Sequence, residues 1–194
     1  SWSVVKFISE KAGFIDVQLD PRNPDVVWAS SYERQRGPWF LQSGGPGSAL
    51  WKSTDAGRTF TKVTGGGLPA STLGRLEIAI ARSNPRTMYL MVEADTMPNA
   101  AKGQKAQSRP SGLYRSADGG KTWEKRNGEN VRPFYYSQVR VDPRNPDRVY
   151  WSSTPVKFSD DGGKTARNAT EGIHVDHHAD SAATEISALL IVGN

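Results

Sequence analysis

Ser53-Thr54-Asp55-Ala56-Gly57-Arg58-Thr59-Phe60, Ser116-Ala117-Asp118-Gly119-Gly120-Lys121-Thr122-Trp123 and Ser159-Asp160-Asp161-Gly162-Gly163-Lys164-Thr165-Ala166 are three versions of one pattern. In each, the aspartate can accept hydrogen bonds from the backbone N–H groups of a tight turn, and glycine supplies a positive φ. An aromatic residue closes the first two versions and suits packing between sheets. Ala166 takes its place in the third, whose hairpin is therefore expected to be less firmly anchored. Asp55, Asp118 and Asp161 read as turn-formers, because each belongs to the end of its own hairpin and they do not converge.

A second pattern interleaves with the first. Asp20-Pro21-Arg22-Asn23-Pro24-Asp25-Val26-Val27-Trp28 returns as Asp142-Pro143-Arg144-Asn145-Pro146-Asp147-Arg148-Val149-Tyr150, and more weakly from Arg82 to Tyr89. Asn23, Asn84 and Asn145 recur at a constant interval of 61 residues. Proline fixes one φ, Asp or Asn caps the bend, and alternating runs flank each copy, so two strands joined by a tight turn are expected. Both patterns together give a unit of four antiparallel strands, with the Asn-Pro turn after the first and the aspartate turn before the fourth.

The aspartate pattern resembles the Asp-box, or BNR, repeat of sialidase-like β-propellers. Four-stranded antiparallel units at this spacing correspond to propeller blades. Nearly the whole chain is similar to a piece of a large bacterial BNR-repeat protein, sortilin-like or glycosyl-hydrolase-like. Arg36-Gly37-Pro38-Trp39-Phe40, Gly44-Gly45-Pro46-Gly47-Ser48, Arg132-Pro133-Phe134-Tyr135-Tyr136 and His174-Val175-Asp176-His177-His178-Ala179 carry that likeness. The expected fold is all-β: a single partial propeller of about three and a half blades. Full blades are expected near 14–63, 75–125 and 136–167, an orphan strand at 4–9, and an incomplete blade at 174–192. The resemblance breaks from Asp180 to Ala188, as an excursion of the reading frame or an altered end would produce.

Composition narrows the function classes. The 194 residues are 36% hydrophobic, with Gly 19 and Pro 12, and mean hydropathy is −0.60; this suits many short strands with one wet face. The formal charge of +5 is spread along the chain without a dense basic run, which argues against nucleic acid and allows a weak attraction for anionic substrates. There is no cysteine, hence no disulfide framework and no thiol nucleophile. No run is apolar enough to span a membrane, and the N-terminal segment lacks the marks of a signal peptide, so localisation stays open.

All three histidines fall within His174-Val175-Asp176-His177-His178. In a strand, side chains alternate between faces, which would place His174, Asp176 and His178 together and His177 opposite. Two imidazoles and a carboxylate can hold a divalent transition metal, zinc above all, with open coordination positions. By repeat register this strand would line the propeller channel. Metal-assisted hydrolysis of an ester, phosphoester or similar small anionic substrate is the reading that follows. It assigns His174, Asp176, His177 and His178 to the metal, and Asp176, Arg140 and Tyr136 to catalysis. Asp16, Glu77 and Arg140 are helpers by channel register, with Tyr135 or Tyr136 as the donor.

Two alternatives stand beside it. One is a glycoside hydrolase, although the Phe-Arg-Ile-Pro segment of sialidases is absent. The other is a glycan- or peptide-binding module in which Trp39, Phe40 and Trp51 matter more than the histidines. The loop from Gly37 to Gly47 is either a binding ledge or a cap on a hydrophobic edge. A partial propeller leaves strand edges open, so a homodimer or higher homo-oligomer is expected, with residues 4–9 of one copy supplementing the last blade of another.

Overall fold

The computed structural model describes residues 2–94, 110–172, 174, 179–182 and 190–193. Among the described residues the fold is all-β, without helix, and so no helix is long and apolar enough to cross a membrane. The first sheet contains β1 (Ala12–Leu19), β2 (Val27–Gly37), β4 (Ala49–Ser53) and β5 (Thr61–Val63), in that order. Strand β3 (Phe40–Ser43) pairs with the far end of β2. The second sheet runs β6 (Leu73–Ile80), β7 (Met88–Ala94), β8 (Gly112–Ser116) and β9 (Glu124–Asn127). The third runs β10 (Val139–Val141), β11 (Val149–Trp151), β12 (Lys157–Ser159) and β13 (Arg167–Asn168). Strands β14 (Ala179–Ala182) and β15 (Leu190–Gly193) form an antiparallel pair.

The sheets stack face to face, and the alternation of side chains along each strand decides which interface a residue enters. Trp28 and Leu50 of the first sheet meet Ile78, Met88, Leu90 and Tyr114 of the second. The intervening positions Tyr89, Met91 and Leu113 turn the other way, onto Val139, Val149 and Trp151 of the third sheet. On its outer face the first sheet carries Ala29, Ala49 and Trp51, with Ile8, Phe14 and Phe60 against them. Strands β1, β6, β10 and β14 are neighbours in turn, so the first strand of each sheet lies on one inner side of the stack.

Both turn patterns act at the opposite side of the sheets. Ser53 Oγ donates to Asp55 Oδ1 at 2.6 Å, and Asp55 also accepts from Thr59 N at 2.9 Å and Thr59 Oγ1 at 2.6 Å. Asp118 repeats these contacts with Ser116 and Thr122, and Asp161 with Ser159 and Thr165. These bonds favour the ionised form. The Ser53 and Thr59 contacts hold Asp55 down to about 2, and Asp118 and Asp161 lie well below the usual carboxylate range for the same reason. In the Asn-Pro turns, Asp20 accepts from Arg22 N and Asn23 N, and Asp142 from Arg144 N and Asn145 N. The two turns of each sheet are joined: Ala56 N donates to Asp25 O, Gly119 N to Arg86 O and Gly162 N to Asp147 O, each at 2.9 Å.

The residue after each aspartate turn packs toward the preceding face. Phe60 enters the outer cluster, Trp123 the first interface and Ala166 the second. Glycine is required at the turn itself: at Gly120, with φ of 79°, a Cβ would sit 2.4 Å from the Trp28 ring.

Two expected strands differ. Residues 4–9 form no strand; Ser9 makes a single bridge to Ala12, while Ile8 packs on the outer cluster and the Lys6 ammonium stands 4.8 Å from the Trp51 ring centre. Ile8 and Lys6 touch the sheet face, while Val4, Val5 and Phe7 are exposed. Of the strand expected from His174, His174 itself is in none, residues 175–178 lie outside the described residues, and β14 takes the inner position beside β10.

Candidate functional site

The inner side of the stack carries a charged cluster built from the first strands of successive sheets. Asp16 on β1, Arg75 and Glu77 on β6 and Arg140 on β10 come together there. Asp16 accepts from Ile78 N at 2.7 Å and from Gln18 Nε2 at 2.9 Å. Glu77, only 7% exposed, has Arg75 and Arg140 nitrogens each at 3.8 Å. Burial, with the Asp16 charge adding to it, pushes the Glu77 carboxyl up to about 7 against the pull of both guanidiniums. Tyr136 is buried and meets the Tyr135 ring edge-on at 5.2 Å between centroids.

Beside this cluster lies a cleft of about 470 Å³ between the β2–β3 hairpin and the segment that leads into β10. The hairpin turns at Pro38 and Trp39, with Gly37 opposite Phe40. The Phe40 ring lies across Gly37, 2.5 Å from where a Cβ would stand, so a side chain there would push the ring aside. Arg34 and Arg36, two residues apart on one strand, share a face, and both line the cleft with Leu41. Trp39 is 94% exposed at the hairpin tip. Facing them are Arg132, Phe134 and Tyr135. The Arg132 guanidinium lies over the Phe134 and Tyr135 rings at 5.8 and 5.3 Å from their centroids. Arg132 itself has φ of 53°, an unusual conformation for a residue with a side chain.

The hairpin is fixed at its base. Tyr32 OH and Ser43 Oγ are 2.6 Å apart, Ser43 Oγ donates to Glu93 on β7, and Gly45 N donates to Leu73 O. The glycine-rich loop closes on Glu33, whose carboxylate accepts from Gly47 N at 2.8 Å; a Cβ on Gly45 or Gly47 would collide with it. Arg75 Nη1 donates to Tyr135 O at 3.1 Å and so ties the opposite wall to β6. A second cavity of about 550 Å³ shares Arg34 and reaches Arg75 along Ala12 and Ile15.

The sequence candidates fall out as follows. Arg140 belongs to the Glu77 cluster, and Tyr136 lies buried beside Tyr135. Trp39 and Phe40 are in the cleft. Trp51 is not: it is a core residue of the first sheet, with its indole N–H donated to Ser31 Oγ at 2.8 Å. His174 is exposed and belongs to no strand, and Asp176, His177 and His178 lie outside the described residues. Among the described residues no group of three His, Cys, Asp or Glu is placed to hold a metal. Sequence reading missed Arg34, Arg36 and Arg132 as site residues. A signal was present, since Arg36-Gly37-Pro38-Trp39-Phe40 and Arg132-Pro133-Phe134-Tyr135 share arginine, proline and paired aromatics outside the repeat register.

No family model matches the chain. It is 31% identical over 101 residues to an oligoxyloglucan-reducing end-specific xyloglucanase of Emericella nidulans, covering 52% of this chain and 11% of that protein. It is 29% identical over 171 residues to a xyloglucanase of a Paenibacillus species, covering 80% of this chain and 15% of that one. The chain thus spans only a small part of the relatives it matches. Among solved structures, the GH74 enzyme of Niastella koreensis superposes with a TM-score of 0.57 at 20% identity, over 86% of this chain and 23% of the other. YCF48 from Cyanidioschyzon merolae superposes with a TM-score of 0.51 at 13% identity, over 81% and 37%. These structural neighbours are β-propellers, and with the stacked four-stranded sheets they establish the fold as part of a propeller. The relatives correct the functional reading. Metal-dependent hydrolysis of esters or phosphoesters gives way to the glycoside hydrolase alternative, because the curated relatives are xyloglucanases. The histidine run misled because donor density alone carries no information about which reaction a fold performs.

Proposed function

We propose that this chain is part of a β-propeller glycoside hydrolase, and that the cleft between the β2–β3 hairpin and residues 132–135 holds a stretch of its glycan. The observation that carries the reading is the likeness to two xyloglucanases. The cleft supports it chemically. A pyranose ring presents a face of C–H groups that stacks on an aromatic ring, and its hydroxyls accept hydrogen bonds from guanidinium N–H groups. Trp39, Phe40 and Tyr135 supply exposed rings on a hairpin and a turn that are both anchored to the second sheet. Little ordering is then needed on binding, which favours affinity. In the same reading, the three Ser-x-Asp-x-Gly turns are Asp-box repeats at the outer ends of the blades.

The test is affinity electrophoresis of the protein in gels containing xyloglucan, mixed-linkage glucan or no polysaccharide, together with release of reducing ends in solution. Retardation by a glycan is expected, and Trp39→Ala should weaken it by tenfold or more at unchanged melting temperature. Unaltered mobility in every polysaccharide, with no reducing ends released, would overturn the proposal.

A further inference from the structure

The cleft is lined by three guanidiniums and by no carboxylate: Arg34, Arg36 and Arg132 all face it. Their usual partners are engaged elsewhere. The nearby acids Glu33 and Glu93 accept from Gly47 N, and from Ser43 Oγ and Arg75 N, respectively. Among the described residues, none of the three arginines forms an ion pair with an acid. Arg34, Arg36 and Arg132 are all solvent-exposed, so three like charges border one cleft with only the Phe134 and Tyr135 rings set against one of them. Arg132 is held in a left-handed conformation, and its guanidinium is laid over two rings, which fixes its donors in place. Three guanidiniums around one cleft offer an anion several charge-assisted N–H donors at one place.

We infer that the cleft takes an anionic glycan, a chain whose sugars carry carboxylate or sulfate groups, with Arg34, Arg36 and Arg132 receiving those groups and Trp39, Phe40 and Tyr135 the ring faces. This rests on the proposed glycan reading and narrows its substrate class. A neutral glucan would use the rings and leave the three charges unbalanced. A guanidinium meets a carboxylate or sulfate with two parallel N–H···O bonds, so a uronate or sulfated sugar uses both parts of the cleft. The neighbouring cavity extends the same character, since Arg34 and Arg75 line it beside Lys11, with Glu10 as its single acid.

The experiment is calorimetric titration of the whole chain with oligomers of galacturonate, the same oligomers as methyl esters, a sulfated galactan, a xyloglucan oligomer and a single-stranded DNA. Galacturonate is expected to bind at least tenfold more tightly than its methyl ester, and the preference should shrink as salt rises. A sulfated galactan that binds better still would assign the charge to sulfate instead of carboxylate within the same inference. Arg36→Gln with Arg132→Gln should abolish the difference between acid and ester, while Arg36→Lys with Arg132→Lys should restore part of it. Melting temperatures of all variants separate loss of fold from loss of binding. Binding of xyloglucan alone, or of acid and ester equally, would overturn this inference and leave the glycan reading standing. Binding of no glycan would end both, and preferential binding of DNA would assign the cleft to another class of polyanion.

Discussion

Single residues set the electrostatic character of this chain, and Glu77 and Asp55 do so in opposite senses. The Glu77 carboxyl is raised from 4.5 to about 7 by burial, with Asp16 beside it and Arg75 and Arg140 opposing. In the folded state it holds its proton more tightly than in the unfolded one. Its contribution to stability is therefore fully present below pH 4.5 and is lost as pH rises through about 7. Glu77→Gln cannot ionise and should flatten that limb of the stability curve, with a relative gain on the order of 3 kcal/mol above pH 8. Urea melts at pH 5 and pH 8.5 measure it, and an equal response of both proteins would refute it. Asp55 is lowered from 3.8 to about 2, so its contribution is present above 3.8 and lost as pH falls through about 2. Asp55→Asn should be less stable than the parent at pH 7 and converge with it in acid. A constant difference down to pH 2 would show that the turn depends on shape and not on charge.

At the scale of elements, the interfaces between sheets bury the largest side chains. Trp151 on the short strand β11 is fully buried against the second sheet. Trp151→Ala should cost roughly 3–5 kcal/mol, read as a lower denaturation midpoint. Gly120→Ala combines a positive φ with a collision against Trp28, and should cost about 1–3 kcal/mol by forcing the first two sheets apart. Thermal melts of the two variants check both values. The β2–β3 hairpin responds differently, because Gly37→Ala displaces the Phe40 ring and so should weaken ligand binding more than it lowers stability. A loss of stability without a loss of binding would show that Phe40 belongs to the hairpin alone.

Considered whole, the molecule leaves an apolar stripe in solvent. Val17 and Leu19 of β1 are 58% and 62% exposed on the outer face of the first sheet, while the neighbouring strands on that face are buried. In a stack of sheets such a face is covered by another. Sedimentation velocity of this chain should therefore show association that increases with concentration, and Val17→Lys with Leu19→Lys should suppress it. A monomer at every concentration would argue that the stripe tolerates water.

The repeat unit was legible because turns are local. Asp20 to Asp25 and Ser53 to Thr59 hold their own hydrogen bonds, so spacing alone gave the strands they join. The inner position of Asp16 and Glu77 was legible for a related reason, since they are 61 residues apart and a fixed repeat puts equivalent residues on equivalent strands, while Arg140 lies on the equivalent strand two residues past the matching position. Residues 4–9 were misread because a run of apolar residues does not by itself supply a strand edge to pair with: Val4, Val5 and Phe7 stay exposed and only Ile8 packs. What the chain alone decided, then, was what acts within a few residues: the two turn patterns and the strand pairs they join. Only the tertiary structure brought Arg34 and Arg36 opposite Arg132, almost a hundred positions apart in the chain, because stacking of the sheets and not sequence spacing sets the distance between their loops.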